Sequence, residues 1–141
     1  AMPGDDPGVA TRLTGAIMLT DDHLDALVTA VLAVNAYPPE KVWEALPRMR
    51  DAGLLDPDRV VGEDLGVITV RLASSGYDRG MLTSMLAGRL INLLAAVRAG
   101  HLDRLPKLVA GGDEAAASAL MQTVKGVGPR VASVAWQILR S

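Results

Sequence analysis

The sequence predicts an all-α domain. Apolar residues recur at helical spacing in one segment after another, and most segments are bounded by a capping residue, a proline or a glycine. Only residues 65–72 are rich enough in β-branched side chains to suggest a strand, and no second such stretch could pair with them. The chain contains no Phe, two Trp and two Tyr, so Leu, Val, Ala, Ile and Met must form the core. We expect a disordered leader over residues 1–19, with Ala1-Met2 as a tag remnant, and one helical domain over residues 20–141.

Helix boundaries in the first part of the chain follow from caps and prolines. Thr20 precedes two aspartates and is predicted to cap the first helix, which is apolar on most of its sides and therefore central. This helix should end near residues 35–37, because Pro38 disfavours helical backbone in the residue before it. A second helix follows, with Trp43 on its apolar stripe, and we expect it to kink or end early at Pro47.

The same signals continue through the second part. Asp56 is predicted to cap a short helix, and residues 65–72 are assigned to another helix because they lack a strand to pair with. Asp78 is predicted to cap a long apolar helix that stops at Gly100. Asp113 is predicted to cap an alanine-rich helix.

The last helices meet at a short junction with the features of an anion site. Gly126 suits a tight turn because glycine reaches positive φ without penalty, and Pro129 is typical of the first position of a helix. The amides at a helix N-terminus bind anions, and nucleic-acid phosphate is the anion that best fits this turn and its basic residues. The residues expected to contact phosphate here are Lys125, Gly126, Val127, Gly128, Arg130 and Arg140.

Charge is distributed unevenly, in a way that favours the same partner. The net charge is −2, but residues 1–66 carry five basic and twelve acidic side chains, whereas residues 67–141 carry nine basic and four acidic ones. Binding to a polyanion requires only a local basic face. Without cysteine, thiolate metal sites and disulfides are excluded, and two histidines are too few to suggest a metal site. No apolar run is long enough to span a bilayer, so we expect no membrane partner.

Three segments resemble one known family. Residues 121–132, Met-Gln-Thr-Val-Lys-Gly-Val-Gly-Pro-Arg-Val-Ala, resemble the helix-hairpin-helix of the base-excision DNA glycosylases related to endonuclease III. Residues 27–37 resemble the first barrel helix of that family, which ends in an amide side chain that probes the DNA stack. Residues 73–82 resemble its glycine–tyrosine turn into a long helix. The three segments occur in the family's order and with similar spacing.

The resemblance implies a fold and a partner. It implies a six-helix-barrel-like orthogonal domain that ends in a helix-hairpin-helix and binds double-stranded DNA without sequence preference. Asn35 and Tyr37 would lie at the mouth of the cleft, and K⁺ or Na⁺ could bridge the backbone carbonyls of Val124 and Gly126 to a phosphate. No other cofactor is expected. A DNA partner and the absence of cysteine are consistent with a cytoplasmic, nucleoid-associated protein.

Catalysis is not expected of this chain alone. Bifunctional members of the family carry a Schiff-base lysine where this chain has Arg130, whose guanidinium stays protonated and cannot act as that nucleophile. The family's essential aspartate would follow the second hairpin helix, beyond Ser141. No catalytic residue is therefore assigned, and the enzymatic status is open.

Two alternatives remain. The chain could be a monofunctional DNA N-glycosylase completed by a further segment or a partner chain. It could instead be a helical protein–protein interaction module, in which a second copy or a partner covers an apolar face left open on the barrel.

Overall fold

The chain is all-helical over residues 19–141, which are the residues that the computed structural model describes. The predicted leader lies outside this range, except for its last residue. The helices are α1 Asp21–Leu32, α2 Pro39–Asp51, α3 Pro57–Val60, α4 Leu65–Ser74, α5 Leu82–Arg98, α6 Leu105–Ala110, α7 Glu114–Met121 and α8 Pro129–Arg140. This confirms the all-α class and the helical assignment of residues 65–72. The barrel-like arrangement and the helix-hairpin-helix remain predictions.

Helix α1 is the central element of the domain. Every residue from Leu24 to Leu32 is buried, and the helix packs against α2, α5 and α8. Thr20 caps it as predicted, by accepting a hydrogen bond from the backbone N–H of His23, while the His23 Nδ1 accepts from the backbone N–H of Thr20. The helix ends at Leu32, a few residues before the predicted end at residues 35–37.

Helix α2 departs from the prediction at two residues. It continues through Pro47 to Asp51, so it does not end early, and Leu46 before the proline and Met49 after it are both buried. The kink at Pro47 stays a prediction. Trp43 is 48% exposed, so its predicted place in the core is wrong. Ala45 is buried instead, because the helix packs the side that carries Ala45 against α1.

Helix α5 is the second helix that contacts several others in the core, and it packs against α1, α3 and α4. Its start corrects another prediction. The carboxylate of Asp78 accepts a hydrogen bond from the backbone N–H of Gly80, at 2.9 Å, so Asp78 stabilises the preceding turn and does not cap the helix. The helix itself begins at Leu82 without a side-chain cap.

The C-terminal helices form a connected group in which α6 packs on α7, α7 on α8, and α8 on α1. Asp113 caps α7 as predicted, by accepting from the backbone N–H of Ala116 at 3.1 Å. Trp136 of α8 is half-buried against the core. Within residues 19–141, no helix is both long and apolar enough to cross a membrane.

Candidate nucleic-acid interface

The turn between α7 and α8, residues 122–128, is called the closing turn below. Backbone hydrogen bonds hold its middle: the N–H of Val124 donates to the carbonyl of Met121 at 3.1 Å, and the N–H of Val127 donates to the carbonyl of Val124 at 3.0 Å. Val124 and Val127 are both buried, 5% and 9% exposed, so they anchor the turn to the core. Gly126 lies between them at φ +97°, which is a conformation that L side chains rarely adopt. The sequence therefore needs glycine at that position.

The end of α8 that follows the turn is open to a ligand. Gly128 is the N-cap, with extended backbone, and no side chain caps the helix. The first hydrogen bond into the helix runs from the N–H of Ala132 to the carbonyl of Gly128, at 3.0 Å. Within residues 19–141, the N–H groups of Arg130 and Val131 donate to no acceptor. These amides lie at the positive end of the helix dipole, so they are suited to an anion.

Basic side chains surround these amides. Lys125 and Arg130 are both exposed on the closing turn and the first turn of α8. A third cation, Arg89, comes from α5: a Cβ built on Gly126 would lie 3.1 Å from the Arg89 Cγ. The aliphatic part of Arg89 therefore packs on the glycine, and three cationic side chains come from one small region.

A second candidate segment follows α1 at residues 35–37. Asn35 and Ala36 both have positive φ, +59° and +63°, and both are exposed. A non-glycine residue in this region is strained and persists only where its surroundings hold it. Arg79 does so, because its guanidinium donates to the carbonyls of Val34, at 3.0 Å, and of Asn35, at 3.4 Å.

Two tyrosines complete the support of this segment. The hydroxyl of Tyr77, a fully buried residue, donates to the carbonyl of Leu32 at the end of α1. Tyr37 is half-buried and meets Tyr77 edge to face, with ring centroids 5.3 Å apart. The guanidinium of Arg79 lies 4.4 Å from the centroid of the Tyr37 ring. Tyr37 is thus part of the packing that holds the segment, whereas the side chain of Asn35 is exposed.

Helix α5 links the two segments. Arg79 lies just before α5 and holds the Asn35 segment, while Arg89 lies within α5 and packs on Gly126. Both segments are therefore held by side chains that come from residues 79–89.

The structure does not bring every predicted site residue to the closing turn. Arg140 lies at the other end of α8, about 15 Å along the helix from Arg130. One of its guanidinium nitrogens donates to the carbonyl of Val109 at 2.8 Å, and the group lies over the Trp136 ring. We therefore place Arg140 outside the cluster. The Val124 carbonyl proposed for a cation already accepts from Val127, which leaves it one lone pair.

Two basic residues of this region were not predicted from the sequence as site residues. Arg79 and Arg89 are separated from the segments they support by more than thirty residues. Arg79 lies within residues 73–82, which resemble the family's glycine–tyrosine turn, but that resemblance assigned it no role. The only indirect signal was the excess of basic side chains in residues 67–141. No known protein family, no curated protein and no solved structure matches the chain.

Proposed function

We propose that this protein binds double-stranded DNA through the phosphate backbone, with little sequence preference. The observation that carries the proposal is the open N-terminus of α8, whose uncapped amides follow a glycine turn bordered by Lys125, Arg130 and Arg89. Amides and basic side chains of this kind contact phosphate oxygens, which are the same in every sequence.

The strength of binding should depend steeply on salt. If each of the three basic side chains neutralises one phosphate, log K falls with log salt with a slope of about −2.7, from roughly 0.9 per phosphate. The excess of basic side chains in residues 67–141, which include the closing turn and α8, favours contact with phosphate there.

The rest of the resemblance extends the proposal. Asn35 would contact the duplex as a second point of attachment, with Tyr37 and Arg79 holding its backbone in place. A monovalent cation at the Val124 and Gly126 carbonyls would assist phosphate binding. Base excision belongs to the alternative function, in which another segment or a partner chain supplies the catalytic carboxylate. Release of free base from duplexes that contain uracil, alkylated or oxidised bases would support that alternative.

A sharp test substitutes the N-cap of α8. Gly128 has φ −98° and ψ −174°, and a Cβ built there meets no atom within 4 Å, so the site accepts any L residue. Aspartate is a favoured N-cap and should match or slightly exceed the stability of glycine there. Its carboxylate would occupy the free amides and repel phosphate. Gly128→Asp should thus keep the fold and lose DNA binding.

A control variant and a series of salt concentrations complete that test. Ala115→Asp adds the same charge on an exposed site in the first turn of α7, away from the closing turn, and should bind a random-sequence duplex as the unaltered protein does. Fluorescence anisotropy at several salt concentrations would measure both the affinity and the slope. Undiminished binding by a folded Gly128→Asp, or an affinity that does not change with salt, would overturn the proposal.

A second candidate function rests on exposed apolar side chains on α4 and at the start of α5. Leu65, Val70, Met81 and Met85 are 42%, 65%, 98% and 41% exposed, respectively. Such side chains are typical of surfaces that contact another protein. A second copy or a partner chain could cover them. Light scattering at two protein concentrations, with Met81→Lys as the comparison, would show whether this surface supports self-association.

A further inference from the structure

A groove of about 730 Å³ runs between the central helix and two of its neighbours. It is bordered by α1, by the first turns of α2 and by the last turn of α8. This volume is in the range of sites for small organic ligands. The groove borders Ile138 and Leu139, about ten residues or 15 Å along α8 from the closing turn. It is therefore separate from the surface proposed to bind DNA.

A buried hydroxyl without a partner borders this groove. Thr29 is 1% exposed, and its Oγ1 has no hydrogen-bond partner among residues 19–141. Buried polar groups are almost always hydrogen-bonded, so such an exception requires an explanation. Thr29 lines the groove, and its oxygen is covered by the surrounding atoms, so a small local shift of the lining would let a ligand donate a hydrogen bond to it.

The charged side chains on the lining are negative. Asp22 and Glu40 belong to the first turns of α1 and α2, and within residues 19–141 neither forms an ion pair. Among residues 19–141, no lysine or arginine lines the groove. His23 also borders it, and desolvation lowers the pKa of its imidazole, with a smaller opposing effect from Asp22, which favours the uncharged ring. The groove therefore favours a cation.

Apolar surface lies beside these carboxylates. Trp43, which the sequence pattern assigned to the core, is 48% exposed and lines the groove, and Ile138 and Leu139 border it from α8. An exposed indole attracts organic cations through the face of its ring and also contacts apolar groups. Helix dipoles alone account for acidic residues in first turns. They do not account for the half-exposed indole and the unpartnered hydroxyl at the same groove.

We propose that this groove binds a small organic ammonium ion. Its ammonium group pairs with the carboxylate of Glu40 and donates to the Thr29 oxygen, while its apolar body lies against Trp43 and the α8 side chains. Asp22 lies about 10 Å from Thr29 along α1 and adds negative potential at the other end of the groove. Neither the DNA-binding residues nor the closing turn takes part, so the two proposals can fail separately.

Titration with phenethylammonium tests the proposal, with 2-phenylethanol as the neutral counterpart of nearly the same shape. The ammonium ion should bind saturably at millimolar concentrations or below, and the alcohol at least tenfold more weakly. In ¹⁵N–¹H spectra the indole signal of Trp43 should shift, whereas that of Trp136 should not. Absence of saturable binding, or equal binding of the alcohol, would overturn the proposal.

Substitutions locate the site. Glu40→Gln should weaken phenethylammonium binding about tenfold, whereas Glu114→Gln, an equivalent change in the first turn of α7, should leave it unchanged. Thr29→Val keeps the shape of the side chain and removes the hydroxyl, so it should weaken binding several-fold without lowering the melting temperature. If folded Glu40→Gln and Thr29→Val both bind like the unaltered protein, the assignment is wrong.

Discussion

Replacing Gly126 with alanine should destabilise the protein, because both its backbone and its surroundings require glycine. A non-glycine residue in sparsely populated backbone costs about 1–3 kcal/mol, and Gly126 lies at φ +97°. The new Cβ would also lie 3.1 Å from the Cγ of Arg89, so the arginine stem would have to shift. Alanine restricts the unfolded chain and recovers roughly 0.4–1 kcal/mol. We therefore expect a net loss of about 1–2 kcal/mol.

The matched control is Gly128→Ala, only two residues away. Gly128 has φ −98° and open space where the Cβ would lie, so the substitution adds no strain there. The free energy of unfolding should change little, because the gain from restricting the unfolded chain is offset by the weaker preference of alanine for an N-cap. Thermal unfolding followed by circular dichroism should give a melting temperature about 3–8 °C lower for Gly126→Ala. Equal effects of the two substitutions, or an unchanged melting temperature for Gly126→Ala, would show that the backbone conformation of the turn is not what selects glycine.

Three other changes probe the fold. Tyr77→Phe removes the buried hydroxyl that donates to the Leu32 carbonyl, and urea titration should show a loss of about 1–3 kcal/mol. Desolvation lowers the pKa of His23 in the folded protein, so the stability that this histidine contributes is present above pH 6.5 and is lost as the pH falls through the folded pKa. The glutamine in His23→Gln can still hydrogen-bond the N–H of Thr20 but does not titrate. Unfolding curves of His23→Gln should therefore no longer show this loss of stability at acidic pH. Pro47→Ala restores a helix N–H and should raise the unfolding free energy by about 1–2 kcal/mol, and a decrease would contradict the view that the proline is merely tolerated.

Local signals predicted most of the fold. Thr20 and Asp113 each cap the helix that follows them, because a side-chain acceptor and the amides it serves lie within three residues of each other. Predictions from local sequence were wrong where one residue suits two different local structures. Asp78 could cap a helix or close a turn, and the position of Gly80 at φ +62° favoured the turn. Trp43 lies on a stripe of the correct period, but Ala45 occupies the buried position.

The candidate site was predictable only in part. The closing turn is a local motif, since Gly126 and Pro129 constrain the backbone whatever surrounds them. The contribution of Arg89 was not predictable, because it depends on α5 packing across the turn. Nor was the position of Arg140, which packs on Trp136 and donates to Val109 at the far end of α8.

The sequence by itself determined the all-α class, most helix boundaries and the glycine turn before α8, because each depends on backbone preferences and contacts between residues a few positions apart. Only the tertiary structure decided which distant side chains meet. Arg79 holds a strained segment 44 residues earlier in the chain, and Thr29 comes to line a groove with Trp43 and the end of α8. Such contacts depend on how helices pack across the core, and no pattern of neighbouring residues in the sequence predicts that packing.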